Sequence, residues 1–212
     1  AKLYAIPPRD IVILCQTTSF RISSYRIRLD LNSRGIYCLE HARLGFIKPE
    51  EYDTYIASLT YDQPRYERIS NYLMPKLRSC KKITIVSTDC SRLIYDTPVD
   101  TPKRNIAEFS ETIGTLLPTG EVFTEAMHLD RVNGELLING YPSAEQRTLI
   151  VSPFKVFIKD GCIDSHTGPA DFERLLNFLR TENPKGKVHL REMGFGMNKY
   201  ISKHKPLYEI TS

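Results

Sequence analysis

Two short segments of the sequence each place one carboxylate beside glycine, a pattern suited to binding a divalent cation. Residues 117–124 read LPTGEVFT and include Glu121, and residues 191–198 read REMGFGMN and include Glu192. Glycine lets the backbone approach a ligand closely, and carboxylate oxygens are preferred ligands of hard divalent cations. If the fold joins the segments, both glutamates contribute to a metal site. Alternatively, Gly120 makes a turn, Glu121 is a solvated strand residue, and Glu192 pairs with backbone or an arginine.

Few other residues are candidates for additional metal ligands. His128 and Asp130 form an H-x-D pattern on a predicted strand, where both side chains would face the same side. His189 lies three residues before Glu192. Single histidines also occur as structural or surface residues, and that alternative stays open here. Cys162, beside a predicted hairpin turn, would be an exposed thiol, and the sequence identifies no base next to it.

The sequence lacks the common motifs of nucleophilic, nucleotide-binding and zinc sites. It has no G-x-S-x-G, no P-loop, no G-x-G-x-x-G after a strand, and no H-E-x-x-H. The net charge of +4 is small and dispersed, so no nucleic-acid partner is predicted. The longest apolar run, Ile11–Cys15, is far shorter than the roughly 18 residues that span a bilayer. We therefore expect no membrane partner, and without a signal pattern a cytoplasmic location.

The composition and local patterns of the first half predict an α/β arrangement. Apolar residues make up 41% of the chain, a globular value, and the five cysteines are widely spaced, which favours reduced thiols. Ile11–Cys15 is a predicted buried strand, and residues 25–31 alternate as a half-buried strand that would form a hairpin with residues 36–39. Helices are predicted from Pro49 and from Asp62, and Pro75 should kink or end the second one. The predicted apolar face of the first helix consists of Tyr52, Tyr55, Ile56 and Leu59.

The second half predicts a β-rich α+β arrangement. Residues 83–86 are a predicted strand, and residues 132–135 (VNGE) and 159–162 (KDGC) carry Asn-Gly and Asp-Gly hairpin signals. One covering helix should carry Pro169 in its first turn and end near residues 183–184. Its predicted core residues are Phe172, Leu175, Leu176 and Leu179. The sequence thus predicts an α/β domain over residues 1–105, in which helices cover a sheet, and a β-rich domain over residues 106–212.

Several motifs in order resemble one family. Residues 118–124 (PTGEVFT) resemble the P-x-G-E-V-F-T signature of metallo-aminopeptidases of the aminopeptidase T type, also called thermophilic leucyl aminopeptidases. Residues 133–138 (NGELLI) are similar to that family's N-G-x-L-x-I hairpin. Residues 157–161 (FIKDG) are similar to its I-x-D-G hairpin, and residues 192–198 (EMGFGMN) to its E-L-G-I-G-x-N segment. The resemblance covers the chain from about residue 64 onward and is weaker before that.

The resemblance implies a metal site that this sequence carries only in part. The family holds two metal ions through two glutamates, two histidines, a tyrosine and an aspartate, and a bridging water attacks the first peptide bond of the substrate. A related branch, the dihydroxypyridine dioxygenases, uses a similar scaffold for a single iron. By motif position, Glu121 and Glu192 match the two glutamate ligands. The family's later histidine-then-tyrosine and H-x-D segments do not occur before Ser212.

Two carboxylates alone hold a divalent metal weakly, because tight sites use about four to six ligands. Three explanations remain: a degenerate scaffold kept for binding, a site completed by a partner subunit or second copy, or a site built from local residues such as His128 and Asp130.

The first hypothesis is a degenerate, non-peptidase relative that binds a peptide or peptide-derived substrate and needs no cofactor. It would suit a pathway that tailors a ribosomally made peptide. Exposed strand edges and 12 tyrosines would provide the contact surface. The second hypothesis is a metal-dependent hydrolase or oxygenase using Glu121 and Glu192 with zinc, cobalt, manganese or iron. A third is a subunit of a homodimer or of a complex with a partner enzyme.

Overall fold

A computed structural model describes residues 5–17, 27–108, 115–143, 148–183, 185–202 and 204–207. The helices are α1 (Ile27–Ser33), α2 (Tyr52–Ser58), α3 (Gln63–Ser79) and α4 (Ala170–Glu182). The strands are β1 (Ile11–Cys15), β2 (Tyr37–His41), β3 (Ile83–Val86), β4 (Arg92–Tyr95), β5 (Lys103–Asn105), β6 (Thr115–Leu117), β7 (Glu121–Glu125), β8 (Val132–Pro142), β9 (Thr148–Lys159), β10 (Cys162–His166) and β11 (Glu192–Gly196). They form three sheets, in the orders β1-β2-β6, β10-β9-β8-β4-β3 and β11-β7-β5. This mixed helix and strand content confirms the predicted fold class.

The chain folds into two compact units, each assembled from separate stretches of sequence. Unit 1 comprises residues 1–67, 104–121 and 196–212, and unit 2 comprises residues 68–103 and 122–195. The chain passes between the units within α3, β5, β7 and β11. The sequence predicts two consecutive domains with a boundary after residue 105, and this division stays a prediction. The two compact units are a separate description, in which the segments of the chain interleave.

Unit 1 contains a parallel β1–α1–β2 arrangement where the sequence predicts a hairpin. β1 and β2 run parallel, and α1 occupies most of the predicted strand 25–31, so the strand prediction is wrong; Tyr25 lies outside the described residues. The alternating pattern also fits a helix, because Ile27 and Leu31 are four residues apart and so lie on the same side of a helix. Leu31 is fully buried, whereas Leu29, which alternates with it, is exposed. A helical crossover is what two adjacent parallel strands require.

The core of this arrangement lies between α1 and one face of the sheet. It is formed by Leu31, Ile36 and Cys38, with Ile6, Val12, Leu14 and Ile27 around them. The opposite face of the sheet carries the alternate residues of β1 and β2.

The two helices that follow differ from the sequence prediction in detail. A 3-10 turn over Pro49–Glu51 leads into α2, whose buried residues are Tyr55 and Ser58. Tyr52 and Ile56 of the predicted apolar face are exposed, because a two-turn helix presents only about one residue per turn to the core. α3 continues through Pro75 to Ser79, so the proline does not end it. Proline removes one backbone hydrogen bond of the helix, and Leu77 beyond it is still buried.

Unit 2 is built on the antiparallel five-stranded sheet. β3 matches the predicted strand, and Asp160 and Gly161, at φ 51° and 70°, form the predicted tight turn between β9 and β10. The predicted Asn-Gly turn is wrong, since Gly134 lies inside β8 at φ 130°. A Cβ at Gly134 would overlap the carbonyl oxygen of Arg92 in β4. This Asn-Gly pair therefore marks a close approach of two strands.

α4 covers the sheet of unit 2 through an aromatic cluster. The Phe172 ring centroid lies 5.0 Å from that of Phe154, in an edge-to-face arrangement. Phe172, Leu175 and Leu176 are buried as predicted, whereas Leu179 is exposed. The helix begins at Ala170, directly after Pro169, and position 184 of the predicted helix end lies outside the described residues.

All five cysteines lie in described segments and are free thiols. No helix among the described residues is long and apolar enough to span a membrane.

Candidate functional site

The two segments singled out from the sequence meet in unit 1 through their backbones. The N–H of Met197 donates to the carbonyl of Gly120 over 2.7 Å, and the N–H of Gly120 donates to the carbonyl of Asn105 over 2.8 Å. Gly120 has φ +111°, and a Cβ there would lie 2.9 Å from Tyr66 Cε1 and 3.1 Å from Asn198 N. Only glycine fits this conformation and this space. The glycine of the signature is thus explained by packing.

Asn198 fixes this junction with its amide side chain. Its Nδ2 donates to the carbonyls of Ser58 and Thr119 over 2.8 Å and 3.0 Å, and its Oδ1 accepts from the N–H of Tyr200 over 3.1 Å. The Tyr66 ring, which lies against Gly120, is only 2% exposed, and this burial raises the pKa of its hydroxyl. The asparagine therefore replaces backbone pairing where three segments of unit 1 converge.

The start of α3 holds the same junction from another side. Arg65 donates through Nε to the carbonyl of Met197 over 3.2 Å, and Lys199 Nζ lies 3.1 Å from Asp62 Oδ2. The hydrogen bond from Lys199 lowers the pKa of Asp62, and the same contact raises the pKa of Lys199. These contacts position residues 197–199, and they show no arrangement that would transfer a proton or bind a metal.

The two predicted metal ligands fall into different units. Glu121 follows Gly120 as the first residue of β7 and is half-buried in unit 1. Glu192 is the first residue of β11, in unit 2. Burial of its carboxyl and the negative charge of Glu125 raise the pKa of Glu192, against the opposing effects of the cations Arg191 and Lys103. Their assignment as ligands stays a prediction.

The further candidates lie in exposed positions of unit 2. His128 precedes a 3-10 turn over Leu129–Arg131 and Asp130 lies within that turn, so the predicted strand at this point is wrong and their side chains do not share a strand face. His189 contacts a cysteine, with its Nδ1 3.3 Å from Cys162 Sγ. Within the described ranges, no three His, Cys, Asp or Glu side chains are grouped to hold a metal ion. These residues do not form a complete metal site.

A second feature of unit 1 is the apolar strand β1, which lies at the edge of its sheet and has one exposed face. Among the described strands, β1 pairs with β2 alone. Ile11 and Ile13 point away from the core and are 63% and 57% exposed. Their register partners on β2, Tyr37 and Leu39, extend the same face. Parallel sheets are normally covered on both faces, so an open face of this kind is unusual.

Comparison with solved structures gives a fold relationship. The fold is similar to that of a dioxygenase. The match is with 2,5-dihydroxypyridine dioxygenase from Pseudomonas putida KT2440, at a TM-score of 0.63 and 14% identity, over 98% of this chain and 58% of that one. AmpT, aminopeptidase T, from Thermus thermophilus matches at a TM-score of 0.47 and 15% identity, over 76% of this chain and 44% of that one. No family model and no curated protein matches the sequence.

The match to the dioxygenase relates the chain to a known protein through its fold. At 14% identity the likeness to the dioxygenase shows a shared fold, and this chain spans 58% of that protein's length. The likeness shown is one of fold alone, and the resemblance of the motifs to the aminopeptidase T type family stays a prediction.

Sequence reasoning missed three features of the described residues. The contact between Cys162 and His189 joins residues 27 positions apart, and no local pattern predicts it. Glu125 influences Glu192 from a strand 67 residues earlier in the chain. The exposure of Ile11 and Ile13 on β1 was not predicted, because a continuous apolar run is typical of a strand that is buried on both faces.

Proposed function

We propose that this chain is a non-peptidase relative of the aminopeptidase T type metallo-aminopeptidases that binds a peptide or peptide-derived substrate along β1. The observation that supports the proposal is the apolar strand β1, which pairs with β2 alone among the described strands and exposes Ile11 and Ile13. β1 reads IVILC and contains no charged residue and no proline. Natural proteins usually protect an exposed edge strand with lysine, proline or a bulge, because a bare edge pairs with any extended chain.

An extended peptide would gain two kinds of contact at this edge. Its backbone would pair with that of β1, and each hydrogen bond contributes about 0.5–1.5 kcal/mol. Every second peptide side chain would lie on the face that carries Ile11 and Ile13, since side chains alternate along a strand. We therefore expect a preference for apolar residues at alternate peptide positions, with little discrimination among the different apolar residue types.

The role that follows is presentation of a peptide to another protein. In a pathway that tailors a ribosomally made peptide, the chain would hold the peptide extended while a partner enzyme modifies it. A homodimer is the competing occupant, because a second β1 would satisfy the same edge.

The test is peptide binding by a matched pair of variants. A library of fluorescein-labelled decapeptides with alternating apolar and polar residues is titrated with the protein, and binding is followed by fluorescence anisotropy. Ile13→Lys introduces a charge on β1, and Val86→Lys is the control on the edge strand β3, where Val86 has the same 57% exposure. We expect Ile13→Lys to weaken binding at least about tenfold, equivalent to about 1.4 kcal/mol, and Val86→Lys to leave it unchanged.

Two controls separate this proposal from its competitors. Binding should survive a chelator, since it uses no metal, and light scattering should show whether the wild-type edge is instead occupied by a second copy. Absence of binding by every library member, or equal losses in both variants, would contradict the proposal.

A metal-dependent hydrolase or oxygenase is the second candidate, favoured by the effect of Glu125 on Glu192. A cation would relieve the repulsion between these carboxylates. The missing ligands would come from a partner chain or from local residues. Protein purified without chelator is incubated with zinc, cobalt, manganese or iron(II), desalted, and analysed for metal by mass spectrometry. Near-stoichiometric metal that is lost in Glu121→Ala or Glu192→Ala would favour this candidate and lead to aminopeptidase and dioxygenase assays.

A further inference from the structure

A cysteine and a histidine are held together on the surface of unit 2. Cys162 begins β10, directly after the turn from β9, and its Sγ lies 3.3 Å from His189 Nδ1. The backbones on both sides are tied: Leu190 N–H donates to the Gly161 carbonyl over 2.8 Å, and Ile163 N–H donates to the Val188 carbonyl over 2.9 Å. The pairing of the two side chains is therefore set by strand geometry.

The arrangement gives the thiol a proton acceptor. In the tautomer with its hydrogen on Nε2, His189 accepts the thiol proton at Nδ1. The other acceptor near Sγ is the carbonyl oxygen of Asp160, at the longer distance of 3.6 Å. The charged side chains on the flanking segments are Lys159, the register partner of Cys162, together with Asp160, Lys187 and Arg191.

We propose that Cys162 and His189 form a nucleophilic thiol site that exchanges with low-molecular-weight disulfides of the glutathione type. His189 takes the thiol proton, and the Cys162 thiolate attacks one sulfur of the disulfide. The bond between the two small-molecule sulfurs breaks as the bond to Cys162 forms, and the leaving thiolate takes up the proton from His189. The products are a mixed disulfide on Cys162 and one free thiol, so no further oxidant is needed.

The other cysteines provide internal references. Cys15 and Cys90 are more exposed than Cys162, yet Cys162 is the one of the five, all in described segments, whose thiol lies within hydrogen-bond distance of a histidine nitrogen. Cys38 is buried, and its burial raises the pKa of its thiol to about 11. Exposure alone would make Cys90 react faster than Cys162, and the histidine contact predicts the reverse order.

The experiment measures mixed-disulfide formation at each cysteine. The full chain is incubated with oxidised glutathione at pH 7, and the modified fraction of each cysteine-containing peptide is followed by mass spectrometry. Because His189 accepts the proton as the Cys162 thiol attacks, this thiol need not ionise beforehand, whereas a thiol without a neighbouring base reacts only as thiolate. We expect Cys162 to react about three- to tenfold faster than Cys90.

Two histidine variants decide the role of the contact. His189→Gln should reduce the Cys162 rate at pH 7 to that of Cys90 or below it, without changing the Cys90 rate. His128→Gln, an exposed histidine of the same unit, should change neither. At pH 9.5, where ordinary thiols ionise without help, His189→Gln and the wild type should react at equal rates. A Cys162 rate at or below that of Cys90, no effect of His189→Gln, or an equal loss at both pH values would overturn the proposal.

Discussion

Gly120 offers a sharp test of how the two signature segments are joined. Gly120→Ala adds a Cβ that would lie 2.9 Å from Tyr66 Cε1 and 3.1 Å from Asn198 N, at a backbone φ of +111°. Tyr66 is only 2% exposed and cannot turn toward solvent, and Asn198 is anchored by the bonds of its side chain. The added methyl group therefore has no free direction in which to displace its neighbours.

The expected loss of stability can be assembled from its parts. An alanine at this φ costs about 1–3 kcal/mol in backbone strain, and the overlap with a packed core costs about 1–3 kcal/mol. Alanine also lowers the conformational entropy of the unfolded chain, which stabilises the folded state by about 0.4–1 kcal/mol. The net destabilisation of Gly120→Ala is then about 3 kcal/mol.

Two other glycines of unit 1 separate these contributions. Gly35 has φ +72°, and its nearest neighbour to an added Cβ is at an ordinary 3.6 Å, so Gly35→Ala tests the backbone alone. Gly196 has neither a positive φ nor any atom within 4 Å of an added Cβ. We expect losses of about 1 kcal/mol for Gly35→Ala and about zero for Gly196→Ala.

The assay is urea unfolding followed by far-UV circular dichroism. For an m-value of about 2 kcal/mol/M, a loss of 3 kcal/mol lowers the midpoint by about 1.5 M. A loss below about 1 kcal/mol for Gly120→Ala, or a loss for Gly35→Ala as large as that for Gly120→Ala, would refute the steric explanation.

Two further predictions concern unit 2. Hydrogen bonds from His166 and Arg180, at 2.6 Å and 2.7 Å, lower the pKa of Glu173, so its ionised form stabilises the fold above about pH 4.3 and this stabilisation is lost as the pH falls below that. Thermal unfolding of Glu173→Gln should therefore show a lower Tm than the wild type at pH 7, and the two should converge in acid; a constant difference would disprove the linkage. Gly134→Ala should separate β4 from β8, because the added Cβ would overlap the Arg92 carbonyl oxygen, and hydrogen exchange should show lost protection of the amides in β4. Unchanged protection there would contradict the close approach of the two strands.

Local chemistry explains the parts of the fold that the sequence predicts correctly. The Asp160-Gly161 turn and the strand β3 depend on positive φ and on a short apolar run, both of which are encoded within a few residues. The strand predicted at residues 27–31 is wrong because the apolar spacing there fits either a strand or a helix. Which of the two forms depends on the parallel pairing of β1 with β2. The turn predicted at Gly134 is wrong for a similar reason, since the strand that approaches this glycine lies some 40 residues earlier in the chain.

The candidate site shows the same division between local and distant information. The sequence identifies the segments around Gly120 and Met197, and the structure joins them by a backbone hydrogen bond. What surrounds Glu192 could not be predicted, because Glu125 and Lys103 come from other strands. The histidine beside Cys162 is likewise supplied by a segment that only the folded backbone brings near.

The interleaving of the two units has a consequence for biosynthesis. Residues 5–67 of unit 1 leave the ribosome early, but the segment that contains Met197 and Asn198 follows only after residues 68–195 have been made. At about 5–20 residues per second, this delay is roughly 6 to 26 s. During that time unit 1 lacks the bond between Met197 and Gly120, and the apolar run of β1 is already synthesised. Unit 1 should therefore complete its fold only after translation has passed residue 198.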